Sequence, residues 1–212
     1  EEERAGEGTE GDKRQGKTRT ANDSFDQMWQ IKFCKEKGFF VIQDDILNIT
    51  KHFESEKADI IVSNDTLCYF EKNEKKIVLK SLASLLKPKG ILIMNLPALD
   101  AFKGTHDIAV GIKKRFTKKE ILDDMNNSGL KLVTTIYWPF LLSPIIFFTR
   151  FFQRITMASQ KEPINNPPSD VYLPNLVLNN IFYALIRLEN KSSHKPWGSS
   201  LMIVLQRTNS GF

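Results

Sequence analysis

The sequence predicts an α/β fold with a mainly parallel sheet, and three observations predict it. Ile60-Ile61-Val62 is a short apolar run that ends at polar Ser63-Asn64-Asp65. Ile77, Val78, Leu82, Leu85 and Leu86 follow at helical spacing. Lys87-Pro88-Lys89-Gly90 stops that helix, and a second apolar run, Ile91 to Met94, ends at Asn95-Leu96-Pro97. Strand, helix, strand at this length is a βαβ unit, with two parallel strands and a right-handed crossover. Neither run alternates, so helices are expected on both faces of both strands. The polar residues just past the strand ends mark the edge where open α/β sheets bind ligands.

These residues carry a family resemblance. Asp59-Ile60-Ile61-Val62-Ser63-Asn64-Asp65-Thr66-Leu67, then Leu86-Lys87-Pro88-Lys89-Gly90-Ile91-Leu92, resembles the centre of class I S-adenosylmethionine-dependent methyltransferases of the type 11/23 kind. That family has an "FD-apolar-V" strand, a "D-x-L-x-H" turn and an "LKPGG-L" turn before its fifth strand. Here Tyr69 stands where the family often has His, and Lys89 where it often has Gly. The resemblance implies a Rossmann-like sheet, mostly parallel, with an antiparallel last strand between the fifth and sixth. It also implies S-adenosylmethionine as cofactor. It runs from Gly38 to Arg207.

Length and composition bound the rest. A chain of 212 residues is most simply one domain, expected here over 21–207, with polar tails at 1–20 and 208–212. The net charge of +5 comes from scattered lysines, with no basic stripe and stacking aromatics, so no nucleic-acid partner is expected. Cys34 and Cys68 are too few for a disulfide framework or zinc site. His52, His106 and His194 lack metal-ligand spacing, so no metal is expected. A cytoplasmic compartment is the default, since the first residues are charged and carry no apolar signal segment.

Glu1 to Thr20 holds almost no apolar residue and is expected to be disordered. Its Gly6-Glu7-Gly8-Thr9-Glu10-Gly11 fits G-x-G-x-x-G, but no apolar strand precedes it and no helix pattern follows. A flexible tail with chance glycines fits that context better. The family's first strand and glycine loop are then missing or altered, as in a truncated or spliced N-terminus. Asp23 to Lys37 reads as a helix capped by Asp23 or Ser24. The resemblance makes Asp23, then Asp26, candidates for the ribose hydroxyls. Phe39 to Ile42 reads as a short strand that ends in Gln43-Asp44-Asp45-Ile46. The family's "G-D-apolar" turn implies that Asp45 accepts from the adenine amine while Ile46 packs on the base. Two solvated turn aspartates are the competing reading. Asp59 is expected to tie the start of its strand. Asn64, Asp65 and Tyr69 fall where the methionine part of the cofactor and the acceptor would meet, and Asp65 can also cap the next helix.

Pro97 to Thr117 resembles a branch of the family with "P-A … HD … GH-x-RRY-T", with Ile112, Lys114 and Phe116 as departures. It implies His106 as general base, Asp107 to orient it, and Arg115 to hold an acidic substrate group. A loop His and Asp bonded to backbone is the alternative. Thr117-Lys118-Lys119-Glu120 is a capping box for a helix with Ile121, Leu122 and Met125 inward, ended by Gly129. Leu130 to Trp138 reads as a strand. The apolar stretch 137–154, interrupted by Pro139 and Pro144, is too broken for a membrane span. Within 137–175 a lid, a membrane-surface element admitting a lipid-linked acceptor, a buried helix and a homodimer contact all remain open. A loop at 161–169, a helix over 176–189 and a last strand over 199–206 complete the chain. Methyl transfer to a small-molecule, glycan or lipid-linked acceptor is the expected activity. An inactive relative serving as a scaffold is the alternative. A nicotinamide dehydrogenase is disfavoured by the lack of a Tyr-x-x-x-Lys pair and of a credible glycine loop.

Overall fold

The computed structural model describes residues 21–53, 55, 57–158, 175–192 and 195–208. The expected tail at 1–20, residues 209–212 of the expected tail at 208–212, the glycine pattern at 6–11 and the loop at 161–169 lie outside them. The chain divides into two units, Glu1–Asp44 and Asp45–Phe212.

In the first unit α1 spans Ala21–Glu36. Asp23 and Ser24, expected as caps, lie inside it. Gly38 ends the segment at φ +81, a left-handed turn that glycine adopts without cost. Phe39 to Ile42 forms no strand, which corrects the expectation. A strand needs a partner for its N–H and C=O groups, and none of the described residues pairs with this one.

The second unit opens with a 3-10 turn, Ile46–Asn48, and α2, Ile49–His52. The central unit is then β1 (Ala58–Asn64), a 3-10 turn (Leu67–Tyr69), α3 (Lys72–Leu85) and β2 (Leu86–Pro97). A 3-10 turn at Asp100–Phe102, α4 (Thr105–Val110) and α5 (Lys118–Asp124) lead to β3 (Leu130–Trp138). Then come α6 (Ser143–Ala158), α7 (Leu176–Glu189) and β4 (Ser200–Arg207). Pro144 sits in the first turn of α6, where its missing N–H costs nothing, so it starts the helix rather than breaking it.

The sheet order is β1-β2-β4-β3. β1 and β2 are parallel, and β4 runs antiparallel between β2 and β3. Three strands therefore share one direction and the last opposes them, as the resemblance implied. One face of the sheet is the core: Leu92, Met94 and Leu96 of β2, with Leu201, Ile203 and Leu205 of β4, pack on Val78, Leu79 and Leu82 of α3. Each such side chain contributes about 1.5–3 kcal/mol on leaving water. Ile77, expected inward, is exposed. The opposite face of β1 is open, with Ile60 60% and Val62 70% exposed. Helices therefore cover one face of β2, and β1, the edge strand among the described residues, has an open face, which corrects the expectation of cover on both faces.

Two polar ties set the frame. Lys87 reaches Asp59 at 2.8 Å, so Asp59 does tie the start of β1. Buried Lys75 meets Asp124 at 3.6 Å and lies 5.0 Å from the centre of the Phe116 ring, clasping α3 to α5.

The turn into β2 explains both a glycine and a lysine. A Cβ on Gly90 would lie 2.9 Å from the Lys87 carbonyl and 3.2 Å from those of Ala58 and Asp59, so only glycine lets the strands meet there. Lys89 has φ +64. A left-handed L-residue costs about 1–2 kcal/mol, while glycine loses about 0.5–1 kcal/mol in chain entropy. Lys89→Gly is therefore expected to raise stability by about 0.5–1 kcal/mol. A urea unfolding midpoint measures it, and a lower midpoint would contradict the account.

Candidate functional site

The site grows from the register of β1 on β2. Asn64 lies opposite Asn95, and the Asp65 N–H donates to the Asn95 carbonyl at 2.9 Å. The chain turns sharply at Asp65, φ +47, a conformation that aspartate tolerates better than most residues. Both strand tips thereby end side by side, with polar groups projecting beyond the core.

A side-chain relay crosses three strands there. Trp138 Nε1–H donates to Asn95 Oδ1 at 3.0 Å. Asn95 Nδ2 donates to Asn64 Oδ1 at 2.9 Å and, more weakly, to Asp65 Oδ1 at 3.4 Å. An indole nitrogen is donor only, so Trp138 fixes which way the Asn95 amide points. Asn95 in turn fixes Asn64, whose own amide N–H groups are left for other partners. Asn95 and Trp138 are site residues that sequence reasoning missed. The signal was a lone polar residue inside an apolar strand, Met94-Asn95-Leu96, and an aromatic residue at the end of another.

The turn after β1 is held from below. Cys68 Sγ donates to the Asp65 carbonyl at 3.1 Å. The Cys68 carbonyl accepts from Lys113 N at 3.0 Å and Lys114 N at 3.3 Å, fastening the 98–116 loop to the β1 tip. Burial, with the Asp65 charge second, pushes the Cys68 thiol up to about 12. Burial also raises the Asp65 carboxyl, against a smaller opposing pull from Arg115 and His106. Tyr69 is raised by burial too.

The 98–116 loop carries the other expected residues. Asp107 and Arg115 are buried and form a two-bond pair: Nε to Oδ1 at 2.8 Å and Nη2 to Oδ2 at 3.2 Å. Arg115 Nη1 donates to the carbonyls of Ala98 at 3.0 Å and Ser199 at 3.2 Å. Asp107 Oδ2 also accepts from Gly104 N at 2.7 Å. This guanidinium is committed to the frame rather than to a substrate anion, and Asp107 holds Arg115 rather than the His106 ring. Their expected roles therefore move from chemistry to positioning: they fix the start of α4. His106, half-buried on α4, stands near enough to Asp65 to pull its carboxyl down.

The remaining expected residues divide. Asp45 is exposed, and its Oδ1 accepts from Leu47 N at 3.0 Å, capping the first 3-10 turn. Ile46 packs on the core. Asp23 belongs to the other unit, and its side chain lies outside the described residues. Among the described residues no cluster of His, Cys, Asp or Glu is arranged to hold a metal.

A family model described as a methyltransferase domain matches residues 30–139. The chain belongs to that family. The class I resemblance read from the sequence is shown by this match, and S-adenosylmethionine is the cofactor that membership implies. No curated protein matches the sequence. Among solved structures, an S-adenosylmethionine-dependent methyltransferase from Archaeoglobus fulgidus is 14% identical, with a TM-score of 0.50 over 84% of this chain and 71% of its own. A putative sarcosine dimethylglycine methyltransferase from Galdieria sulphuraria is 15% identical, with a TM-score of 0.46 over 84% of this chain and 64% of its own. At 14% identity the likeness to the Archaeoglobus protein is one of fold. The donor set of the methyltransferase domain fits the methionine end of the cofactor, with amide donors at Asn64 and a carboxylate acceptor at Asp65 within one turn.

Two outcomes follow for the methyltransferase. The Asp65 carboxyl is raised above its ordinary value of 3.8. Its ionisation therefore opposes folding as pH rises from the unfolded value through the raised folded one. Asp65→Asn, which keeps the turn and the oxygen facing Asn95, should be more stable than the parent at neutral pH. That advantage should vanish below the unfolded value, as denaturation midpoints across pH would report; a pH-independent difference would contradict it. Thiol reagent should modify Cys34 in the native protein and Cys68 only after denaturation, which peptide mass mapping would read; native modification of Cys68 would contradict its burial.

Proposed function

We propose that this chain transfers a methyl group from S-adenosylmethionine to a small-molecule, glycan or lipid-linked acceptor, with peripheral membrane contact through residues 137–154. One observation carries this reading: Asn64, Asp65 and Asn95 converge at adjacent strand tips in a chain of the methyltransferase family. When bound, the cofactor supplies a methyl group activated on a sulfonium.

Asn64 and Asp65 bind the methionine end of the donor, one giving and one accepting hydrogen bonds. Trp138, through Asn95, keeps that donor and acceptor set in one orientation before anything binds. Such preorganisation removes a cost from each turnover. Asp45 accepts from the adenine amine and Ile46 shields the base. Tyr69, at the turn beside Asp65, lines the acceptor side. His106 takes the proton of the attacking hydroxyl or amine as the bond to carbon forms. Asp107 and Arg115 hold the start of α4, the helix that carries the imidazole.

A specific observation favours the second reading, an inactive scaffold: residues 39–42 form no strand. Calorimetry separates the two. Binding of S-adenosylmethionine and S-adenosylhomocysteine is expected, and weaker binding in Trp138→Phe, which keeps the ring and loses the donor. With labelled donor and an extract of the source cell, His106→Gln is expected to lose about 100-fold or more in methyl transfer while binding donor normally. No heat with either ligand would sink the proposal in favour of the scaffold.

A further inference from the structure

α6 carries its apolar stripe on the solvent side. Ile145, Phe148, Phe152 and Ile155 are three, four and three residues apart, so they share one helical face, and all four are exposed. The same helix turns polar groups toward the loop that bears α4: a Cβ on Gly104 would collide with Arg150 and Gln153. Phe147 anchors the helix, edge-on to Phe102 at 6.3 Å. A helix stabilised only by the core has the reverse arrangement.

α7 repeats the pattern at its start, where Leu176 is 75% and Val177 70% exposed. The two helices are tied at one end. Glu189 Oε2, in the last turn of α7, accepts from Phe140 N at 2.8 Å and Leu141 N at 3.0 Å, just ahead of α6. Its other oxygen meets Lys195 at 3.3 Å. The start of α7 and the end of α6 are the ends away from that tie, and both are apolar on the outside.

The charge of this element is one-sided. Over 139–158 and 175–192 the cations are Arg150, turned toward Gly104, half-buried Arg154, and exposed Arg187 and Lys191. The single acid is Glu189, buried and engaged as above. Water is a poor solvent for such a surface, and an acidic protein partner would leave the Phe stripe wet. α6 has 16 residues, which at 1.5 Å each is about 24 Å, short of the roughly 30 Å of a bilayer core. No helix among the described residues is long and apolar enough to cross a membrane.

We propose that α6 and α7 together dock on an anionic lipid surface, their phenylalanines and leucines in the boundary between headgroups and acyl chains. This extends the peripheral contact read above to a second helix and gives it a lipid charge. It also deepens the methyl-transfer reading, because α6 packs on α4. Docking places the helix that supports α4, and with it His106, next to the lipid surface, so an acceptor carried on a lipid is the substrate class we infer.

The test uses the full chain and sedimented vesicles of phosphatidylcholine with or without phosphatidylserine. Binding is expected to the phosphatidylserine vesicles, and to weaken with salt as the screening length shrinks to about 10 Å at 0.1 M. Phe148→Glu with Phe152→Glu, and separately Leu176→Glu with Val177→Glu, should each lower partition about tenfold or more. These side chains are exposed and touch only rings of their own helix among the described aromatics, so the fold should be kept, which thermal unfolding checks. Absence of vesicle binding at low salt overturns the proposal. So does a concentration-dependent dimer, seen by sedimentation, that the same substitutions abolish, because the surface then belongs to a second copy. Calorimetric binding of S-adenosylmethionine is measured in parallel. Vesicle binding without cofactor binding sinks the methyl-transfer reading alone, and cofactor binding without vesicle binding sinks this one alone.

Discussion

The parallel pairing of β1 with β2 is the constraint on which the rest depends. Its register puts Val62 opposite Ile93 and Asn64 opposite Asn95. A slip of one residue would send every side chain of β1 to the other face, removing Ile61 from the core and Asn64 from the relay. The register has its own cost. Ser63 faces the core, and its hydroxyl is the one buried side-chain polar atom without a hydrogen bond among the described residues, a loss of about 1–3 kcal/mol. The pairing is kept in place by the Gly90 approach, by Lys87 on Asp59, and by burial of the α3 face.

The second support is the committed charge under the 98–116 loop. A buried carboxylate and guanidinium that satisfy each other and three backbone groups behave as one rigid block. Leaving either alone in that interior would be costly. Rigidity there is useful, because the loop carries His106, half-buried on α4. A side chain that orients another can matter as much as one that touches a ligand, and here the sequence motif mixes both kinds.

Much of this was legible beforehand. Apolar runs bounded by polar tips gave β1 and β2, and the Thr117 and Glu120 box gave the start of α5, because those signals are local. The order β1-β2-β4-β3 followed from the family resemblance. What failed were inferences about partners in space. Phe39 to Ile42 has strand-like residues, but a strand exists only where another pairs with it. Uninterrupted apolar character in β1 did not tell a covered face from an open edge. Arg115 looked available because a sequence does not reveal that Asp107, Ala98 and Ser199 already claim its donors. Asn95 and Trp138 escaped because they lie 43 positions apart and meet only through two antiparallel crossings of the sheet.

Gly198 has a consequence for the indole across the sheet. A Cβ at that position would collide with the backbone of Trp138, so the segment before β4 and the end of β3 rest directly on each other. The placement of the Trp138 backbone, from which the indole reaches Asn95, thus depends partly on a residue with no side chain and no chemistry of its own. Any side chain at position 198 would push the two segments apart and carry the indole away from Asn95, so the relay stays closed only while that Cβ is missing.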